Sequence, residues 1–108
     1  MNKIRRNRMS IIKRLPCMAC VKEGCAQPNP TEVHHLVDMG NRELSGGDAA
    51  TIPLCGWHHR GEPLMNEVCK NMRAYYGPSM AKESKKFAEL YGTQRELLAS
   101  INEAIGAL

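Results

Sequence analysis

Ile4, Met9, Ile11, Ile12 and Leu15 are apolar positions threaded through the basic run of the first sixteen residues. They predict a short amphipathic helix that Pro16 closes, because the residue before a proline is pushed out of helical geometry. The periodicity then stops. Cys17, Cys20 and Cys25, followed by Pro28-Asn29-Pro30, read as loop and turn, in the manner of a zinc knuckle with a short excursion behind it. Glu32–Val37 is short and β-branched, a strand by composition. Residues 38–50 are Gly-rich and polar, and their short length between two strands predicts an ordered loop. Thr51–Cys55 is a second strand; Pro53 within it cannot donate a ladder hydrogen bond, so it is an edge strand or a short one.

From Trp57 onward the period becomes helical. Met65, Val68, Cys69 and Met72 recur at three- and four-residue spacing, Tyr75 or Tyr76 continues the stripe, and Gly77-Pro78 stops it. A second helix is expected from near Ser79, with Met80, Phe87, Leu90 and Tyr91 on one face and Gly92 at its end. Thr93-Gln94-Arg95-Glu96 is a capping box that opens a third helix. Leu97, Leu98, Ile101, Ile105 and Leu108 form its core face. The pattern therefore predicts an α+β chain: a strand–loop–strand–helix unit followed by helical scaffold. The Met stripe is core packing, and Cys69 belongs to it.

Composition adds a constraint. The chain has 108 residues, the size of one domain, with one Trp, one Phe and three Tyr. A core so poor in aromatics rests on aliphatic residues and Met, and it gains from a metal staple. No run of about 18 apolar residues is present to span a membrane. The basic N-terminus has no apolar segment behind it, so no secretory signal is expected. Five cysteines, an odd number, with the first pair at metal-ligand spacing, predict reduced thiols in a cytoplasm. Charge is unevenly spread. Lys3, Arg5, Arg6, Arg8, Lys13, Arg14 and Lys22 all precede the first acid, Glu23, so residues 1–22 carry +7 in a chain of net +4. A local basic arm is the expected footprint for phosphate contact.

The four histidines fall in two adjacent pairs, His34-His35 and His58-His59. Cys17-x2-Cys20 and Cys55-x2-His58 have the two-plus-two spacing of a tetrahedral structural zinc site, with Cys25 as a rival fourth ligand. That leaves His34, His35 and His59. Neighbours on a strand point to opposite faces, so His34 and His35 cannot share one task. A divalent metal held by His34 and His59 would keep open positions for a phosphodiester and stabilise the leaving oxygen. His35 would then be the general base that takes a proton from water. The simpler alternative is a single zinc finger whose remaining histidines only form hydrogen bonds.

This arrangement resembles the HNH (ββα-metal, His-Me finger) endonucleases. The matching residues are Cys17, Cys20, His34, His35, Leu54, Cys55, His58 and His59. The resemblance implies a small zinc-stabilised ββα-metal core with a zinc knuckle and additional C-terminal helices. It implies His34 and His59 as ligands of a catalytic Mg²⁺ or Mn²⁺, His35 as general base, and Cys17, Cys20, Cys55 and His58 on a structural Zn²⁺. The family's middle Asn, which tethers the loop, falls near Ala50, and Asp48 and Asn41 are the alternatives for its role.

Longer stretches resemble the Ref-type RecA-dependent nucleases of phages and prophages: His34-His35-Leu36-Val37, Thr51–Gly61, Gly77–Ala81, Ser84–Phe87 and Tyr91–Leu98. That likeness implies DNA cleavage in phage or prophage recombination, inside a bacterial host cell, where a RecA filament presents the DNA. In this reading residues 1–16 are a basic arm, and Lys3, Arg5, Arg6, Arg8, Lys13 and Arg14, with Arg60, contact nucleic acid. Residues 17–108 are the nuclease domain, with helical scaffold over 79–108. The competing class is a catalytically silent zinc-stabilised module that binds DNA or RecA.

Overall fold

The computed structural model describes residues 3–24, 30–63 and 67–106, with side chains from residue 7 onward. Helix α1 spans Lys3–Arg14 and α2 Met18–Glu23; strand β1 is Thr31–His35. A 3-10 turn at Gly47–Ala49 leads into β2, Thr51–Cys55, which runs directly into α3, Gly56–Arg60. Helices α4 (Cys69–Tyr76), α5 (Ser84–Tyr91) and α6 (Gln94–Ile105) complete the chain.

The two strands form an antiparallel pair in which Glu32 faces Leu54, Val33 faces Pro53 and His34 faces Ile52. The Leu36 amide donates to the Ala50 carbonyl at 3.0 Å. Hydrogen-bonded pairs recur every second residue along an antiparallel ladder, so Val33–Pro53 falls on a non-hydrogen-bonded pair. There a proline leaves no ladder donor missing. β2 is buried along its whole length, and Ile52, Leu54 and Cys55 are fully inaccessible. α1 packs across both strands and α6 against β2. Ile12, Leu36, Phe87, Met72 and Leu97 close the same core.

Several elements differ from the sequence reading. The first cysteines are not in a loop: α2 carries them, because Met18–Glu23 holds no Gly or Pro until Gly24, which terminates the helix in the left-handed region at φ 76°. The continuous helix expected from Trp57 to Tyr76 is broken. Gly61, at φ 73°, caps α3 with its amide on the Trp57 carbonyl at 2.8 Å, and Pro63 follows, a residue that cannot continue the hydrogen-bond ladder. A Cβ at residue 61 would also lie 2.8 Å from the Lys82 side chain. Met65 lies outside the described residues. Val68 is exposed, and Cys69 is not a core residue. It opens α4, exposed, with Lys82 Nζ donating to its Sγ at 3.1 Å.

The helix expected from Ser79 begins at Ser84 instead. The Met80 amide is occupied by the His58 carbonyl at 2.8 Å, and the Ser79 hydroxyl takes the Lys82 amide, which folds residues 79–83 into a turn. Phe87 and Tyr91, one helical turn apart, are buried, whereas Leu90 is exposed. The capping box at Thr93–Glu96 is present with both of its hydrogen bonds, and Leu97, Leu98 and Ile101 are buried as their spacing predicts. Leu108 lies outside the described residues.

Candidate functional site

Cys17 and Cys20 sit at one end of α2, one turn apart and therefore on one face. Cys55 ends β2, and His58 lies three residues on in α3. The three Sγ atoms and His58 Nδ1 lie within 4.8 Å of one another, and all four residues are buried. Cys20 and Cys55 Sγ are 3.8 Å apart; the three sulfurs stand 3.4–3.5 Å from His58 Nδ1. A tetrahedral ion with bonds of about 2.3 Å to sulfur and about 2.05 Å to nitrogen requires edges of roughly 3.8 and 3.6 Å, so the donor set has the dimensions of a zinc site. The imidazole is oriented for it: Nε2 donates to the Tyr76 carbonyl at 2.7 Å, which leaves the Nδ1 lone pair aimed at the sulfurs.

The electrostatics of the cluster favour a cation as well. Hydrogen bonds from Cys20, then Cys55, bring the Cys17 thiol down to about 3, so one thiolate forms readily. That thiolate pushes Cys20 far up. Without a positive ion the buried cluster cannot carry more than part of the negative charge that three thiolate ligands need. Cys25, the rival ligand, lies outside the described residues.

The next residue, His59, leaves the cluster and meets β1. Its ring lies 4.9 Å from that of His34, centroid to centroid, in an edge-on arrangement at 72°. Glu32, two residues before His34 and so on the same strand face, places Oε1 2.8 Å from His59 Nδ1. Arg60 clamps the same carboxylate with both arms, at 2.9 and 2.6 Å. Arg60, first of all, and His59 hold Glu32 below the usual carboxylate range. A carboxylate on one ring nitrogen fixes the other, Nε2, as the lone-pair atom, as is common for metal-binding histidines. Burial, above all, pushes the His34 imidazole below its ordinary value, and the neighbouring His59 and His35 act in the same direction. His34 is thus a neutral imidazole, the form that ligates metals. His34, His59, Arg60, Met80, Ser84 and Gln94 line an open cavity of about 410 Å³.

His35 points elsewhere, as the alternation along β1 requires. Its Nε2 lies 2.8 Å from Asp48 Oδ1. Asp48 in turn edges a second open cavity, of about 490 Å³, with Arg42, Gly46 and Gly47. The two residues weighed for the loop-tethering role divide the work. Asn41 ties the loop to itself, its Oδ1 accepting the Leu44 amide at 2.9 Å and its carbonyl the Ser45 hydroxyl at 2.7 Å. Asp48 ties the loop to His35.

Of the basic residues, Lys13 and Arg14 are exposed on α1. Arg8 is turned inward, donating to the Thr51 hydroxyl at 2.9 Å and the Thr51 carbonyl at 2.8 Å. The side chains of Lys3, Arg5 and Arg6 lie outside the described residues. Arg60 is half-exposed and engaged with Glu32.

Two contributors were not foreseen. Glu32 could have been found from its position two residues before His34. Gln94 carried no such signal: it reaches His34 from the first turn of α6, its Oε1 3.1 Å from His34 Nε2.

No curated protein matches the chain. A profile of the family described as "Recombination enhancement, RecA-dependent nuclease" matches residues 2–106, nearly the whole sequence. With its Cys3His cluster and paired imidazoles placed within that span, the chain belongs to this family of RecA-dependent recombination-enhancement nucleases.

Proposed function

We propose that the chain is an HNH-type, metal-dependent DNA endonuclease that hydrolyses phosphodiester bonds where a RecA filament presents DNA during phage or prophage recombination. The observation that carries this reading is the meeting of His34 from β1 with His59 from α3 at 4.9 Å, beside a buried Cys3His cluster that shares α3 with His59. Family membership supports the nuclease activity and the RecA link.

In this reading Cys17, Cys20, Cys55 and His58 hold a structural Zn²⁺, and His34 and His59 hold Mg²⁺ or Mn²⁺. The second ion supplies charge stabilisation at the scissile phosphate and its leaving oxygen. The chain's own residues do the rest. Glu32 orients His59, and Arg60 fixes Glu32. His35 takes the proton of the attacking water, and Asp48 holds the ring and stabilises the imidazolium that results. Lys13 and Arg14 supply sequence-independent affinity for the DNA backbone. Residues 1–16 act as the basic arm and 17–108 as the nuclease domain.

The test is cleavage of plasmid and D-loop DNA with Mg²⁺ or Mn²⁺, with and without RecA and ATP. His35→Ala is expected to lower the cleavage rate about 10²–10⁴-fold, the usual contribution of a general base. Unchanged cleavage by that variant would defeat the assignment. Cleavage of equal rate without RecA would defeat the strict RecA requirement while leaving the chemistry in place. One tight zinc with no second divalent ion and no nicking would point to a silent binding module instead.

A further inference from the structure

The histidine centre is built from β1 and α3, but a third element closes it. Gln94 is the first residue of α6 and reaches back some sixty positions in sequence. Its Oε1 accepts the Val37 amide at 3.1 Å and lies 3.1 Å from His34 Nε2. The backbone contact settles which way the side-chain amide faces. A backbone N–H can only donate, so the atom opposite Val37 is the oxygen, not the NH₂ group. The same oxygen faces His34 Nε2, and an oxygen acceptor there requires Nε2 to carry the hydrogen. An imidazole ligates only in its neutral form, and with the hydrogen on Nε2 the one lone pair of that form is on Nδ1.

We propose that Gln94 is a positioning residue of the histidine centre: its amide oxygen, oriented by the Val37 N–H, holds His34 in the Nε2–H tautomer and leaves Nδ1 as the nitrogen that can ligate. The ligating half of this inference rests on the metal role assigned to His34 above; the tautomer half does not. Glu32 does for His59 what Gln94 does for His34, with the opposite outcome. The carboxylate takes the Nδ1 hydrogen of His59 and leaves Nε2 with the lone pair. The two rings thus present different nitrogens because two different acceptors hold them. α6 contributes to the site through this one oxygen, and the contact to Val37 fixes the exit of β1 at the same time.

The experiment uses the zinc-loaded full chain with ¹⁵N-labelled histidine. Long-range ¹H–¹⁵N spectra without added divalent metal report each ring's tautomer, and Mn²⁺ titration followed by electron paramagnetic resonance reports affinity. Wild type is expected to show His34 as the Nε2–H form. Gln94→Met, close in shape but without the acceptor, should lose that preference and bind Mn²⁺ about 10–100-fold more weakly, the usual effect of removing such a partner. Gln94→Glu keeps an oxygen at the same reach; it should restore the tautomer and bind Mn²⁺ at least as tightly as wild type. An Nδ1–H tautomer in wild type would overturn the inference, as would Gln94→Met with tautomer and Mn²⁺ affinity unchanged. Should Gln94→Met fail to fold, the wild-type tautomer and the Gln94→Glu spectrum still decide. Wild type that shows the Nε2–H tautomer but binds no Mn²⁺ overturns the metal role of His34, separately from the hold of Gln94 on the ring.

Discussion

Each histidine of this chain has a defined acceptor or donor, and the partner decides the job. His58 gives its Nε2 hydrogen to a backbone carbonyl and turns its Nδ1 lone pair toward the three sulfurs. His59 gives its Nδ1 side to Glu32. His35 is paired with Asp48. The strand alternation that separates His34 from His35 was legible in sequence, because a period of two depends on local geometry alone. The partners were less so. Glu32 could be placed on the right face by the same period, but its double engagement by Arg60 depends on where α3 lies. Glu32→Gln removes the charge that orients His59. It is expected to weaken divalent-metal binding about 10–100-fold in isothermal titration. Zinc content should stay at one per chain, because Glu32 bonds to His59 and Arg60, which are not members of the Cys3His cluster.

At the scale of elements, the errors of sequence reading have a common cause. Val68, Cys69 and Met72 keep helical spacing, but α3 ends at Gly61 and α4 opens only at Cys69 with Val68 extended before it, so the apolar period runs past the start of the helix. The reverse held for α2, where cysteine spacing typical of a turn is carried on a helix. The strands, the capping box and the core face of α6 were legible because each rests on residues close in sequence. What α6 does was not, since its first turn is joined to the exit of β1 by side chains. Next to Gln94, Arg95 grips the Asp38 carboxylate with two bonds of 2.8 and 3.0 Å and holds the Ser45 carbonyl at 3.2 Å.

Arg95 keeps Asp38 below the ordinary carboxylate range. A depressed carboxylate contributes stability that is present above its unfolded-state value, near pH 4, and lost as pH falls through the lower folded value. Asp38→Asn is therefore expected to lower stability by no more than about 1 kcal/mol at neutral pH, as for an exposed ion pair. The gap between variant and wild type in urea unfolding should close as pH falls below about 4. A gap that persists at pH 2 would show that the ion pair is not its source.

At the scale of the whole molecule, five elements converge on the Cys3His cluster. α2 brings two thiols, β2 the third, and α3 the imidazole. α4 supplies the Tyr76 carbonyl, and Phe87 and Tyr91 of α5 pack around the His58 ring, at 6.3 and 5.5 Å between centroids. Structural zinc in small domains contributes an apparent 10–16 kcal/mol of binding free energy, about as much as the entire stability of an ordinary domain. Stripping the zinc-loaded chain with a strong chelator should therefore unfold it, and Cys20→Ser should fail to hold zinc. Both are measurable as loss of helical circular dichroism together with released zinc. A chain that keeps its spectrum after zinc release would show that the apolar core suffices. That these four residues would cluster was legible from two-plus-two spacing; that so many elements pack on one imidazole was not, because α4 and α5 reach it only through tertiary packing.

The reach of Gln94 to His34 also orders events in time. Synthesis delivers the chain from its N-terminus, and compact units form as they emerge. The four residues of the cluster and both rings of the histidine pair are available once residue 59 has left the ribosome, whereas Gln94 arrives thirty-five residues later. A nascent or clipped chain that stops short of α6 holds every histidine yet leaves His34 free to take either tautomer. The contact that sets the His34 tautomer therefore waits on the synthesis of α6, long after the ring it holds has been made.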